Sequence, residues 1–156
     1  MRDPSYLAPG AAAELRPAQP EGPLDVTRDT KAFTAAVRTR LFAFLRAWSI
    51  GDDAAALEVF ASPEDGEGVS WDAARLKALR EQHRADHGSL RLDPEARNLR
   101  HTTVTPSEDR ASWRVQQMLI DTAELNDWLA EVDVDLAASR AASEPVLRLV
   151  RLGPLV

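Results

Sequence analysis

Cysteine is absent from the 156-residue sequence. Its absence excludes disulfide bonds, thiolate metal sites and cysteine nucleophiles, and it suits a reducing cytoplasm. The sequence also has no run of about 18 apolar residues, so no membrane-spanning helix is expected. Met1 is followed by Arg2, Asp3 and Pro4 rather than by the basic and apolar leader of a secreted protein. We therefore expect a cytoplasmic protein without a membrane partner.

The motifs of common phosphate-handling and hydrolytic enzymes are missing as well. Neither G-x-x-x-x-G-K-[ST] nor G-x-G-x-x-G occurs, and neither H-E-x-x-H nor G-x-S-x-G is found. The chain by itself is therefore not expected to hydrolyse ATP or to hold a dinucleotide. We predict a protein that is not an enzyme and that uses no cofactor.

Apolar and charged residues make up 44% and 28% of the chain, as in one globular domain. Five of the ten prolines fall in residues 1–26, which are predicted to be a disordered, Pro-rich linker before a single domain at 27–156. The net charge of −6 is unevenly spread. Seven acids and one arginine give residues 121–144 a charge of −6, whereas five bases and one aspartate give residues 28–50 a charge of +4.

Apolar residues at a helical spacing predict three helices in the first part of the domain. The first helix runs to about Ser49, where Gly51 ends it, and a short second helix is capped by Asp52. The third helix begins at a cap at Ser70 and ends within residues 87–92. The candidate caps of the first helix are Thr27, Asp29 and Thr30.

After about Arg100 the apolar period changes to two residues, which predicts four antiparallel strands. HTTV and SWRVQQMLI form a hairpin, DWLAEVDVDL forms a third strand, and PVLRLVRL forms the fourth strand after a loop at AASRAASE. The predicted fold class is α+β, with three N-terminal helices packed on a four-stranded curved antiparallel sheet.

Arginines are the candidate contacts to nucleic acid. They lie on the basic first helix and around the hairpin, where guanidinium groups could contact phosphates. The alternative is a solvated helix face, and acidic neighbours offset the hairpin arginines. The candidates are Arg38, Arg40, Arg46, Arg97, Arg100 and Arg114.

His83 and His87 share one face of the third helix at the i, i+4 spacing at which two imidazoles can bind one metal ion. The third ligand would have to be His101 or a carboxylate. The alternative, which we favour, is a hydrogen-bonded histidine near the helix end and another that lines a cavity, so no metal site is predicted. With Trp113, the two histidines could line a small-molecule pocket in which one of them acts as general base.

An acidic stripe on the third strand has two interpretations. Paired carboxylates can serve acid/base chemistry, but a solvated face on which Asp133 lies near Arg148 explains the stripe more simply. A further hypothesis is a homodimer that uses an exposed apolar patch. The stripe comprises Glu131, Asp133 and Asp135, and the patch would comprise Leu129, Leu147 and Leu149.

This sequence resembles two families, the first only over its first two helices and the second, more strongly, over nearly the whole chain. FLRAWSIGDDAAALEVF is similar to the first two helices of the nuclear transport factor 2-like superfamily, and that resemblance implies a sheet wrapped into a cone. LDPEARNLRHTTVTPSEDRASWRVQQMLID and NDWLAEVDVDLAASR resemble a domain of unknown function that ends a group of bacterial DEAD/DEAH-box helicases. The shared pattern is a W-x-V-x-Q strand followed by a D-W and an E-V-D-L-A-A-S block. It is matched here by Trp113, Val115, Gln117, Asp127, Trp128, Glu131 and Val132.

The second resemblance implies a non-catalytic accessory domain that contributes nucleic-acid or partner binding. Its partners would be a helicase motor domain, in cis or in trans, and RNA or DNA.

Overall fold

A computed structural model describes residues 25–155. The predicted linker at 1–26 lies outside this range except for its last two residues, so it stays a prediction. Four α-helices, one 3₁₀ helix and four strands occur in the described part of the chain. In chain order they are α1 (Thr30–Ser49), α2 (Asp53–Glu58), α3 (Ala73–His87), the 3₁₀ helix (Leu99–His101), β1 (Thr102–Pro106), β2 (Ser112–Leu119), β3 (Trp128–Asp135), α4 (Leu136–Ala142) and β4 (Leu147–Pro154).

The four strands form an antiparallel sheet in the order β1-β2-β3-β4, so each strand pairs with its neighbour in sequence. Val115 lies opposite Val104 on one side and Val132 on the other, which places β-branched side chains across the middle of the sheet. The register shifts once, between Glu131 and Val132, where β3 pairs with β4. β1 and β4 are the two edges, and the sheet is open.

The core lies between α1 and one face of the sheet. The buried side chains of α1 recur every three or four residues, as the periodicity predicts, and form one cluster with the buried strand residues. Phe33 meets Trp113 of β2 edge-on, with ring centroids 5.2 Å apart. The buried stripe of α1 consists of Phe33, Val37, Leu41, Phe44, Leu45 and Trp48.

The predicted fold class needs two corrections. The expected cone is wrong, because the sheet is an open one in which β1 and β4 do not pair. The order of three helices followed by four strands holds roughly, but the predicted loop at AASRAASE is wrong, because it contains α4. Asp135 caps α4 by accepting a hydrogen bond from the Ala138 N–H, and Ser143 ends it in the left-handed conformation.

Arg80 is a buried arginine at the corner where α1, α2 and α3 meet. Its Nη1 donates to the Trp48 carbonyl oxygen at 3.0 Å and to Asp53 Oδ1 at 2.7 Å, and its Nη2 donates to Asp53 Oδ2 at 3.2 Å. Gly51, with a φ of +85°, turns the chain from α1 into α2 beside this guanidinium. A charge pair and a tight turn therefore hold the corner.

The segment 61–71 covers the edge of β4. The Ala61 N–H donates to the Leu147 carbonyl at 2.9 Å, and the Trp71 Nε1–H donates to the Leu149 carbonyl at 2.9 Å. These bonds occupy backbone groups that would otherwise leave the strand open to pairing with another chain. Within residues 25–155, no helix combines the length and apolarity that a bilayer crossing requires.

Candidate functional site

An open groove of about 670 Å³ lies between α1 and the segment that follows α3. Arg38 and Arg46 line it from α1, and Arg97 lines it from the opposite side. Phe42 and Leu92 form its apolar part. We call this feature the arginine groove.

The helical spacing of residues along α1 explains why Arg38, Phe42 and Arg46 line the same side of the groove. Arg38, Phe42 and Arg46 are four residues apart, so they form one stripe on the side of the helix away from the buried face. The Arg38 guanidinium lies over the Phe42 ring, 5.3 Å from its centroid. Two cations and one aromatic ring therefore lie in a row along the groove.

Long-range contacts bring Arg97 to this row. Arg38 donates its Nη2–H to the Arg97 carbonyl and its Nε–H to Thr102 Oγ1, the latter at 3.0 Å. Arg97 in turn donates its Nε–H to the Leu92 carbonyl at 2.7 Å. Hydrogen bonds to backbone and hydroxyl oxygens thus fix the side chains of Arg38 and Arg97. These acceptors are neutral, so they do not cancel the two positive charges.

The arginine groove concentrates positive charge. In the part of the chain that the structure describes, no carboxylate lies within 4 Å of Arg38, Arg46 or Arg97. Partial burial, followed by repulsion from Arg97, lowers the pKa of Arg38. Positive groups that are held together in this way favour an anionic ligand.

The other three candidate arginines lie elsewhere and pair with acids. Arg40 contacts Glu144 at 2.8 Å, and Arg100 contacts Glu95. Arg114 of β2 contacts Glu131 at 2.7 Å and also Asp133, so it neutralises the acidic stripe of β3. The structure therefore brings together Arg38, Arg46 and Arg97 and separates them from the rest.

The acidic stripe is a charge-paired surface. Asp133 lies opposite Arg148 in the register of β3 and β4, as predicted. Its ion pair, however, is with Arg114, while Arg148 donates to the Asp65 carbonyl at 2.6 Å. The predicted apolar patch is wrong, because Leu129, Leu147 and Leu149 are 6%, 1% and 1% exposed and cannot form a dimer surface in the folded chain.

His83 and His87 are buried side by side at the end of α3. Their rings stack with centroids 4.4 Å apart, and both meet Trp128 of β3 edge-on. Trp113, the third member of the predicted pocket, lies six residues along β2 from Leu119, the partner of Trp128. That separation is about 20 Å, so the structure does not bring Trp113 to the histidines.

The two histidines differ in their surroundings. Burial, followed by the neighbouring His87, lowers the pKa of His83 to about 4, so His83 is neutral. Burial also acts to lower the pKa of His87, but the hydrogen bond to Asp127 and the bond to the His83 carbonyl outweigh it and raise the pKa. Within residues 25–155, His83 Nε2 has no hydrogen-bond partner although it is fully enclosed.

Asp121 completes this cluster from the loop between β2 and β3. Its side chain is 0% exposed, and its oxygens accept hydrogen bonds from the Leu125 and Asn126 N–H groups at 3.0 and 2.8 Å. One ligand atom each from His83, His87 and Asp121 lies within 4.8 Å of the other two. The third group that a metal would require is therefore present, and it is neither His101 nor a member of the acidic stripe.

A comparison with protein-family models shows which family the chain belongs to. The model described as "Domain of unknown function (DUF3516)" matches residues 1–152. No curated protein and no solved structure matches the sequence. The chain therefore belongs to the DUF3516 family of domains of unknown function.

Proposed function

We propose that this domain is a non-catalytic module that binds single-stranded nucleic acid in the arginine groove. The convergence of Arg38, Arg46 and Arg97, without a carboxylate partner among residues 25–155, is the observation that carries the proposal. Guanidinium groups form charge-assisted hydrogen bonds with phosphate oxygens, and such contacts position a nucleic acid without reading its sequence.

The groove favours a single strand over a duplex because it contains an exposed part of an aromatic ring. The Arg38 guanidinium lies over the half-buried Phe42 ring, and bases stack both on aromatic rings and on arginine planes in proteins that bind single strands. Arg38 and Arg46 are about 12 Å apart along the helix axis, which is the length of about three stacked nucleotides. A short stretch of strand therefore fits between the two cations.

The proposed context is a bacterial DEAD/DEAH-box helicase in the cytoplasm. The resemblance of the hairpin and β3 segments to the domain that ends such helicases supports this context. The motor domain would hydrolyse ATP, and the module would hold the strand or a partner nearby. Attachment in cis would raise the effective concentration of the strand at the motor.

Binding of a labelled single-stranded RNA, followed by fluorescence anisotropy at several salt concentrations, tests the proposal. Three phosphate contacts predict a slope of about −2 in log K against log salt, or about a 20-fold loss between 50 and 200 mM. The variant Arg38→Gln/Arg46→Gln/Arg97→Gln should lose both the affinity and the slope.

The matched control removes the same charge outside the groove. Arg40→Gln/Arg100→Gln/Arg110→Gln should keep the wild-type affinity within about twofold if local contacts matter more than net charge. An equal loss in both triple variants, or no binding by the wild type at low salt, would contradict the arginine groove.

A further inference from the structure

The cluster at the end of α3 contains the donors that a divalent transition metal prefers. Two imidazole nitrogens and one carboxylate oxygen, from His83, His87 and Asp121, lie within 4.8 Å of one another. Two ligands of one tetrahedral Zn²⁺ are about 3.4 Å apart, so each side chain would have to move by less than about 1 Å. The chain has no cysteine to compete for such an ion.

His83, a member of this cluster, carries an unsatisfied nitrogen. Its side chain is 2% exposed, and Nε2 has no hydrogen-bond partner within residues 25–155. A buried polar atom without a partner is unfavourable and uncommon in folded proteins. A metal ion bound to Nε2 would remove this defect.

The contacts of His87 are compatible with the same ion. Its Nδ1 faces the His83 carbonyl oxygen at 2.9 Å, and its Nε2 faces Asp127 Oδ1 at 2.6 Å. Both neighbours are acceptors, so without a metal ion a protonated His87 can donate to both of them. Metal-binding histidines commonly donate one N–H to a backbone carbonyl and bind the ion through the other nitrogen. The His83 carbonyl would hold His87 in this way, and the ion would replace the proton that Nε2 shares with Asp127.

Asp121 is a buried carboxylate without a direct ion pair. Among the residues that the structure describes, no basic group lies within 4 Å of it, although it is 0% exposed. The two backbone N–H groups that it binds leave each oxygen with a further acceptor position. They also fix its orientation, as outer-shell bonds do for metal-binding carboxylates.

We propose that His83, His87 and Asp121 bind one Zn²⁺-like ion, which fastens the end of α3 to the loop between β2 and β3. The cavity beside His83 measures about 120 Å³ and is lined by neither His87 nor Asp121, so it is not a substrate pocket for this ion. The role that we propose for the ion is structural. A hydrogen bond from the Ser89 N–H to Thr122 Oγ1, at 3.0 Å, already joins the same two segments.

The test is a Zn²⁺ titration of the untagged, metal-stripped full chain against a chromophoric chelator. We expect one Zn²⁺ per chain, and a visible Co²⁺ spectrum of a site with nitrogen and oxygen ligands. His83→Gln and Asp121→Asn should weaken binding by more than about 100-fold, because each removes a ligand. His101→Gln, which changes the remaining histidine of the chain, should bind like the wild type.

Circular dichroism of the metal-free variants establishes whether they fold. If one variant is unfolded, the other variant and the Co²⁺ spectrum of the wild type decide the question. A wild-type chain that takes up no Zn²⁺ at micromolar concentration overturns the proposal. So do folded His83→Gln and Asp121→Asn variants that bind Zn²⁺ as tightly as the wild type.

Discussion

The buried pair of Arg80 and Asp53 gives a quantitative prediction about the helical corner. Their side chains are 10% and 11% exposed, and they form two hydrogen bonds with each other. Asp53→Ala leaves the guanidinium buried with only the Trp48 carbonyl as acceptor. Removing one partner of a buried ion pair lowers the free energy of unfolding by about 3–5 kcal/mol. Because Arg80 keeps its bond to the Trp48 carbonyl, we expect a loss of about 3 kcal/mol for Asp53→Ala.

Urea denaturation followed by tryptophan fluorescence measures this loss of stability, since Trp48 and Trp71 are buried in the folded chain. The midpoint should fall without a change in the m-value. Adding Arg80→Met to the Asp53→Ala variant removes the unpaired charge. The double variant should therefore be only about 1 kcal/mol less stable than the wild type. The Trp48 carbonyl keeps the Gly51 N–H as a donor. A loss below about 1 kcal/mol for Asp53→Ala alone would refute the reasoning.

Two further predictions concern loops. Hydrogen bonds from Arg75 and from backbone N–H groups lower the pKa of Asp65 to about 2, so its stabilising effect is complete above about pH 4 and is lost toward pH 2. Urea midpoints should show that Asp65→Asn is less stable than the wild type at pH 7, and this difference in stability should become smaller as the pH falls. A difference that does not change with pH would contradict the lowered pKa of Asp65. Gly88→Ala should cost about 1–3 kcal/mol, because φ is +71° and a Cβ would lie 2.4 Å from Thr122 Oγ1. The control is Gly68→Ala, where φ is +82° but no atom lies near the added Cβ. Its melting temperature should fall less than that of Gly88→Ala.

Local signals in the sequence were sufficient for much of the backbone. Asp29, one of three candidate caps, accepts the Ala32 N–H and starts α1, and Gly51 follows its end. Apolar periodicity does not predict α4, because a seven-residue helix of mostly small residues is too short to show a helical spacing of apolar residues. The capping residue Asp135 is the available signal, but the alternation along β3 also places Asp135 in the acidic stripe, which hides its role as a cap.

The site depended more on long-range contacts. The spacing of Arg38 and Arg46 follows from one helix, but Arg97 is 59 residues from Arg38 and reaches it only through the tertiary fold. Asp121 likewise joins the histidines from a loop beyond β2, whereas Trp113 faces the core about 20 Å away. Periodicity identifies which side chains are buried, but it does not say which end of a sheet a helix reaches.

Photo-crosslinking tests the central claim most directly. A single-stranded RNA that carries 4-thiouridine would be irradiated in complex with the full chain, and the linked peptides would be identified by mass spectrometry. The arginine groove predicts crosslinks at Phe42 and within residues 91–97, and their loss in the Arg38→Gln/Arg46→Gln/Arg97→Gln variant. Crosslinks confined to the β1–β2 hairpin, or unchanged in that variant, would contradict the account.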